Sequence, residues 1–223
     1  NTMNTPLRLI GTIASITCIL LMSSGCTEQN NPSPEETIQT ILEKAAILES
    51  VSYEINTTFI IDGIIPQVTT TKIWQKTSYL KEDITITTVS TNSTIGNTTT
   101  TLSVIKRPEG IYVYDNISQT YQPNSQQVIP QPSTSDMVQN LLHNQTLTLV
   151  GTENLSGIPT IVIQYHPNQG GNSTTVTLWI WNEKGVPLKE QYTSNSEGSF
   201  VTITSLYNKY SFEEIPQSTF SVE

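Results

Sequence analysis

Thr174-Thr175-Val176-Thr177-Leu178-Trp179-Ile180-Trp181-Asn182 is the stretch that decides the fold. Its β-branched and aromatic residues suit a pleated strand, and period two divides it into Val176, Leu178, Ile180 and Thr177, Trp179, Trp181. Both sets are largely apolar, whereas a sheet with one wet face would carry polar residues on one of them. Both faces of this strand therefore need cover. Two arrangements supply it: a curled sheet lined inside and packed outside, or the centre of a β-sandwich. Pro159 to His166 repeats the pattern more weakly, with Ile161, Ile163 and Tyr165 opposed by Val162.

Working outward, Thr146 to Glu153, Pro159 to His166, Thr174 to Asn182, Leu188 to Thr193 and Phe200 to Tyr210 read as five successive strands. Gly157, Gly170-Gly171, Gly185 and Gly198 punctuate them, and Asn182-Glu183-Lys184-Gly185 fits a hairpin with Gly185 in the left-handed position. Upstream, strands are expected at Ser52 to Ile61, Val68 to Trp74, Ser78 to Leu80, Ile84 to Val89, Thr99 to Lys106, Ile111 to Asp115 and Gln119 to Gln122. Ile61-Asp62-Gly63-Ile64 reads as a tight hairpin turn, Pro66 weakens the start of the strand after it, and a hairpin tip is expected around Gly96-Asn97. Strands so closely spaced mean an antiparallel sheet or barrel, not βαβ units.

Two helices interrupt the strands. Ser33-Pro34-Glu35-Glu36 has a capping serine, a proline suited to the first helical position and a glutamate that closes a capping box. Ile38, Ile41, Leu42, Ala45 and Leu48 then form one apolar stripe, on a helix expected to end near Ser50. A second helix is expected from Ser135 to His143, with Met137, Val138, Leu141 and Leu142 on one side.

Ahead of these, Arg8 precedes an uncharged apolar run of 14 residues, Leu9 to Met22, followed by Ser23-Ser24-Gly25-Cys26. That is the layout of an export signal, too short for a comfortable bilayer-spanning anchor. Ser-Ser-Gly-Cys resembles the lipobox of prokaryotic lipoproteins, with Ser23 standing where leucine is usual. Three readings follow: a lipoprotein whose Cys26 is lipidated, a secreted protein with an incidental cysteine, or an uncleaved anchor. The lipoprotein reading divides the chain into a signal at 1–25, a polar tether at 26–33 and one domain at 34–223. It places that domain on the outer face of the cytoplasmic membrane or at the cell surface, held by the lipid on Cys26. Two acyl chains would hold it stably where one would not.

Ten Lys and Arg against 19 Asp and Glu give a net charge of -9. Losing Arg8 with the signal would make it more negative still. An acidic domain without a basic cluster argues against nucleic acid and against electrostatic docking on anionic headgroups. Cys18 and Cys26 are the only cysteines, so neither a disulfide nor a thiolate metal site is expected in the domain. Seven Asn-x-Ser/Thr sequons, at Asn56, Asn92, Asn97, Asn116, Asn144, Asn154 and Asn172, are glycosylation candidates. A chain so rich in Asn, Ser and Thr also yields sequons by chance. Lipobox and sequons together favour an archaeal over a bacterial cell surface.

Three segments resemble the LolA/LolB-like lipoprotein-carrier superfamily: Gly151-Thr152-Glu153-Asn154-Leu155-Ser156-Gly157-Ile158-Pro159-Thr160, Val176-Thr177-Leu178-Trp179-Ile180-Trp181-Asn182, and Gly185-Val186-Pro187-Leu188. The ending Tyr210 to Phe220 resembles that family's close, and the likeness covers about the last third of the chain well. The resemblance implies a mainly β (α+β) fold: an antiparallel sheet of about eleven strands, curled into a half-open β-barrel and covered by an N-terminal helix and a short mid-chain helix. It also implies a concave face that holds acyl chains or other apolar ligands. The family's ligand-handling arginine has no match, since Arg107 is the only arginine after Arg8.

Catalytic signals are missing. His143 and His166 are far apart and belong to no ligand motif, and no nucleophile elbow, zinc-protease helix, phosphate loop or calcium loop occurs. Glu82-Asp83 and Glu213-Glu214 read as solvated neighbours. Neither an enzyme nor a cofactor is expected. Trp74, Tyr112, Tyr114, Leu178, Trp179, Ile180 and Trp181 are the candidates for contact with an apolar ligand, or for ordinary core packing. The expected function is a lipid-anchored binding protein for a lipid or lipidated ligand. The alternatives are a signalling module that binds a membrane-protein partner and a structural surface domain with a filled barrel.

Overall fold

The computed structural model describes residues 33–90, 96–124, 128–167, 173–196 and 198–223. The signal segment 1–25, Cys26, the tether up to residue 32, Asn92, Asn172 and Gly170-Gly171 lie outside the described residues.

Helix α1 is Pro34–Ala46. The Ser33 hydroxyl accepts from the Glu36 amide at 3.1 Å and the Glu36 carboxylate accepts from the Ser33 amide at 2.8 Å, the reciprocal box that the sequence announces. The helix stops short of the expected Ser50 because Ser50 and Val51 are already taken into a strand ladder opposite Lys76 and Gln75.

Eleven strands follow: β1 Ser50–Ile61, β2 Ile64–Lys76, β3 Tyr79–Thr88, β4 Thr98–Arg107, β5 Gly110–Asp115, β6 Thr120–Pro123, β7 Thr148–Leu155, β8 Ile158–Tyr165, β9 Ser173–Trp181, β10 Pro187–Ser196 and β11 Ser199–Ser211. Helix α2, Thr134–Asn144, lies between β6 and β7, and a 3-10 turn at Gln217–Phe220 follows β11. All eleven strands form one antiparallel sheet in the order β6-β5-β4-β3-β2-β1-β11-β10-β9-β8-β7. β6 and β7 do not meet, so the barrel stays half open.

Three local features set the register. Asp62 (φ 50°) and Gly63 (φ 81°) both adopt left-handed backbone, the two-residue turn that matches strand twist. Pro66 sits where the β1–β2 register slips between Phe59 and Ile61, a bulge that frees it from donating to the ladder. The segments Ser78–Leu80 and Ile84–Val89, separate in the sequence reading, are one strand. Glu82 and Asp83 continue it by pairing with Ile73 and Lys72 on one side and Val104 and Ser103 on the other.

The two faces are covered by different means. Over β7–β10, helices α1 and α2 pack Ile38, Leu42, Ala45, Val138 and Leu141 onto Ile161, Ile163, Val176, Leu178 and Ile180, all nearly or wholly buried. Gly185 (φ 73°), in the β9–β10 turn, lies so close to α1 that a Cβ there would run into the Ile41 carbonyl and come within 2.9 Å of the Ala45 amide nitrogen. The start of α2 reaches across to β2, where the Thr134 amide and hydroxyl both donate to the Gln75 side-chain oxygen at 3.0 and 3.2 Å.

The opposite face of β2–β6 is covered by the C-terminal segment. Phe220 and Ile215 pack with Ile105 against Trp74, Tyr79 and Tyr121. Ser50 pins this segment, donating to the Glu213 carbonyl at 3.0 Å and accepting from the Ile215 amide at 3.0 Å.

Candidate functional site

The concave face is best followed along one row of directly paired residues, whose side chains project to the same side. From β8 to β4 the row reads Ile163, Leu178, Glu190, Ser205, Thr57, Thr69, Ile86, Thr100. Ile163 and Leu178 are sealed beneath the helices, at 0% and 4% exposure. Thr57, Thr69 and Ile86 are half-exposed, and Thr100 is exposed. Helix cover therefore ends partway across the sheet.

Beyond that limit the face forms a concavity of about 700 Å³, with Ile86, Thr100, Leu102, Val113, Gln122 and Pro123 in its lining. The turn after β5 rims it. There Asp115 accepts from the Ile117 and Ser118 amides at 3.0 and 3.3 Å, bonds that hold its carboxyl below the usual range, and Ile117 stands 95% exposed.

Of the seven aromatic and aliphatic candidates, Leu178 and Ile180 lie on the concave side but are packed under the helices, at 4% and 0% exposure. Trp179 is on the opposite face. Its indole nitrogen donates to Glu153 at 2.7 Å, and the Lys189 ammonium sits 4.1 Å from its ring. Trp181 packs edge-on to Tyr210 and Phe212. Trp74 belongs to the cluster under the C-terminal segment, and Tyr112 shares its face through the Ile105 pair. Tyr114 meets Tyr121 edge-on at 5.3 Å and contributes to the rim of the concavity.

Among the described sequons, Asn56 is committed to the sheet, donating to Glu54 at 3.3 Å and accepting from Thr70 at 2.9 Å. Asn97, Asn116, Asn144 and Asn154 are exposed. No cluster of three potential metal-ligating side chains occurs among the described residues. No described helix is long and apolar enough to cross a membrane.

Two carboxylates stand on the concave side. Glu82, which reads in the sequence as solvated, is 1% exposed and accepts from the Gln131 amide at 2.6 Å. Burial pushes its carboxyl up, against the lowering effect of that bond. Its parity with Leu80 and Ile84 was the available signal, masked by Asp83 beside it.

Glu190 faces the same side, because it pairs with Leu178 and Ser205. The Tyr207 hydroxyl donates to it at 3.0 Å. Burial raises the Glu190 carboxyl, and burial together with the Glu190 charge pushes the Tyr165 hydroxyl up to about 12. A bulge with Lys209 in left-handed backbone (φ 55°) turns both Tyr207 and Tyr210 toward Tyr53, with ring centroids 6.1 and 5.1 Å away.

No protein-family model matches the chain, and no curated protein is similar to it in sequence. Solved structures do resemble it. The Pseudomonas aeruginosa MucA/MucB complex matches at 14% identity and TM-score 0.49, over 83% of this chain and 61% of that one. The chain thus spans about three fifths of that neighbour's length. The Mycobacterium tuberculosis lipoprotein LppX matches at 17% identity and TM-score 0.48, over 84% of this chain and 99% of that one. A LolA superfamily protein from Nitrosomonas europaea matches at 14% identity and TM-score 0.35, over 82% of this chain and 97% of that one. The chain itself folds as eleven antiparallel strands, left open between β6 and β7, with a helix before the sheet and another within it.

Proposed function

We propose that this protein is a lipid-anchored, extracytoplasmic binding protein that holds a lipid or other apolar ligand on the open part of its concave face, without catalysing a reaction. The observation that carries the reading is the 700 Å³ concavity beside Ile86, Leu102 and Val113, left uncovered on the side where the other half of the sheet is sealed. Burying about 300 Å² of ligand chain at ~25 cal/mol per Å² gives roughly 7 kcal/mol before association costs, enough for reversible holding. The export signal and Cys26 supply the location.

Native mass spectrometry of the protein, purified without detergent, tests the reading. A discrete added mass that organic solvent releases as lipid supports it. An apo mass that also refuses added long-chain lipid would rule it out.

A second reading, attachment to a protein partner, draws on the joined tips of the β1–β2 and β10–β11 hairpins. There the Asp62 amide donates to the Phe200 carbonyl at 2.9 Å. Around this junction Ile61, Ile64, Ile65 and Phe200 are 44%, 54%, 43% and 52% exposed. Loss of partner binding in an Ile64→Ser, Phe200→Ser variant with lipid uptake intact would favour it.

A further inference from the structure

We infer that Glu190 is the docking point for the polar end of the ligand, and that this end is a cationic amine. The inference rests on the proposed holding function and adds the chemistry of the headgroup.

Glu190 occupies the boundary of the concave face. On one side of it the row runs into Leu178 and Ile163, closed under the helices. On the other it passes Ser205 and Thr57, whose hydroxyls bond each other at 2.9 Å, to Thr69 and the half-exposed Ile86. Four strand spacings separate Glu190 from Ile86, about 19 Å at ~4.8 Å each, a span suited to an extended long acyl chain. Apolar residues flank that line in the neighbouring rows, with Ile55 and Ile84 on one side and Phe59 and Ile203 on the other. An amphipathic molecule laid along the row would put its tail in the concavity and its head at Glu190.

The groups around Glu190 select the charge of that head. Tyr207 from β11 donates one hydrogen bond, and Tyr165 from β8 feels the Glu190 charge. Tyr192 follows two residues along the same strand face. The nearest basic residue along the strand, Lys189, points to the other face and lies over Trp179. Lys209 is paired with Glu54 at 2.9 Å. A half-buried carboxylate served by one neutral donor rejects an anionic head and gains from a cationic one, which replaces lost solvation by a charge-assisted hydrogen bond.

The test compares dodecylamine, dodecanol and dodecanoate, each below its micelle concentration, by calorimetric titration of the full protein and its Glu190→Gln and Lys189→Gln variants. The amine is expected to bind roughly tenfold or more tighter than the alcohol, and the acid more weakly than either. Glu190→Gln should erase the amine preference, bringing amine and alcohol to similar affinity, whereas Lys189→Gln should leave the preference intact. Should Glu190→Gln fail to fold, the same question is answered by pH in the unaltered protein: amine affinity falls as Glu190 is protonated, and dodecanol affinity does not. Equal affinity for the three heads, or a preference that survives Glu190→Gln, would overturn the docking role and leave the holding function standing. If none of the three binds, both fail.

Discussion

The two halves of this sheet share one strand grammar and differ in how much of the concave side is covered. In the β7–β10 half the concave side is solid, because α1 and α2 fill it with Leu42, Val138 and Leu141. In the β2–β6 half the convex side carries Phe220 and Ile215 of the C-terminal segment, and the concave side is buried at Ile73, Leu80 and Val104 but open at Ile86 and Leu102. A strand with apolar residues on both faces therefore says that both sides are covered. It does not say whether the cover is a helix, a tail or a ligand.

The contrast can be broken most severely at the joint between α1 and the sheet. Gly185→Val would add a β-branched side chain at positive φ against the Ile41 carbonyl, and should cost roughly 3–5 kcal/mol in urea denaturation. Truncations inside each packed side come next. Phe220→Ala should cost about 3–5 kcal/mol and Leu178→Ala about 2–5 kcal/mol, since both side chains are almost fully buried. Ile86→Ala, at the open concavity, should cost under about 1 kcal/mol and appear instead as weaker binding of long-chain ligand. Comparable losses at Ile86 and Leu178 would mean that the two halves are equally packed.

Gln75→Ala sharpens the comparison where α2 crosses toward β2. It removes the acceptor of the Thr134 amide and hydroxyl and should cost about 1–3 kcal/mol. Amide exchange should accelerate at the start of α2 more than in α1.

The smallest effect is a pH dependence. Glu82 and Glu190 hold their protons more tightly folded than unfolded, so stability rises as pH falls from neutrality toward the ordinary glutamate value of 4.5. Glu54, Asp115 and Glu214 are shifted down, and their contribution is lost only below that window. The unaltered protein should therefore melt at a higher temperature near about pH 5 than near about pH 7, and Glu82→Gln should flatten the difference. A melting temperature that falls steadily from neutrality would contradict this assignment.

Much of the fold could be read from local chemistry. The Ser33–Glu36 box, the Asp62-Gly63 turn and Gly185 at positive φ are each set by residues within four positions, and the sequence announces all three. The alternation of Val176 to Trp181 announced a strand needing two covers. Which cover lay on which face depended on contacts far along the chain, such as Phe220 against Tyr79, and so could not be read. The same distance dependence explains the site. Trp179 looked like a ligand contact by residue type, yet Glu153 and Lys189 turn it into packing on the convex face. No local motif marks Glu190, and only its pairing with Leu178 and Ser205 turns it inward.

The most direct measurement is a methyl NMR titration of the protein with dodecanol, reading isoleucine, leucine and valine resonances in both halves. The account predicts saturable shifts at Ile84, Ile86, Leu102 and Val113, with Ile161, Ile163 and Ile180 unmoved beneath the helices. Shifts confined to Ile161, Ile163 and Ile180, or no shift anywhere at saturating dodecanol, would contradict it.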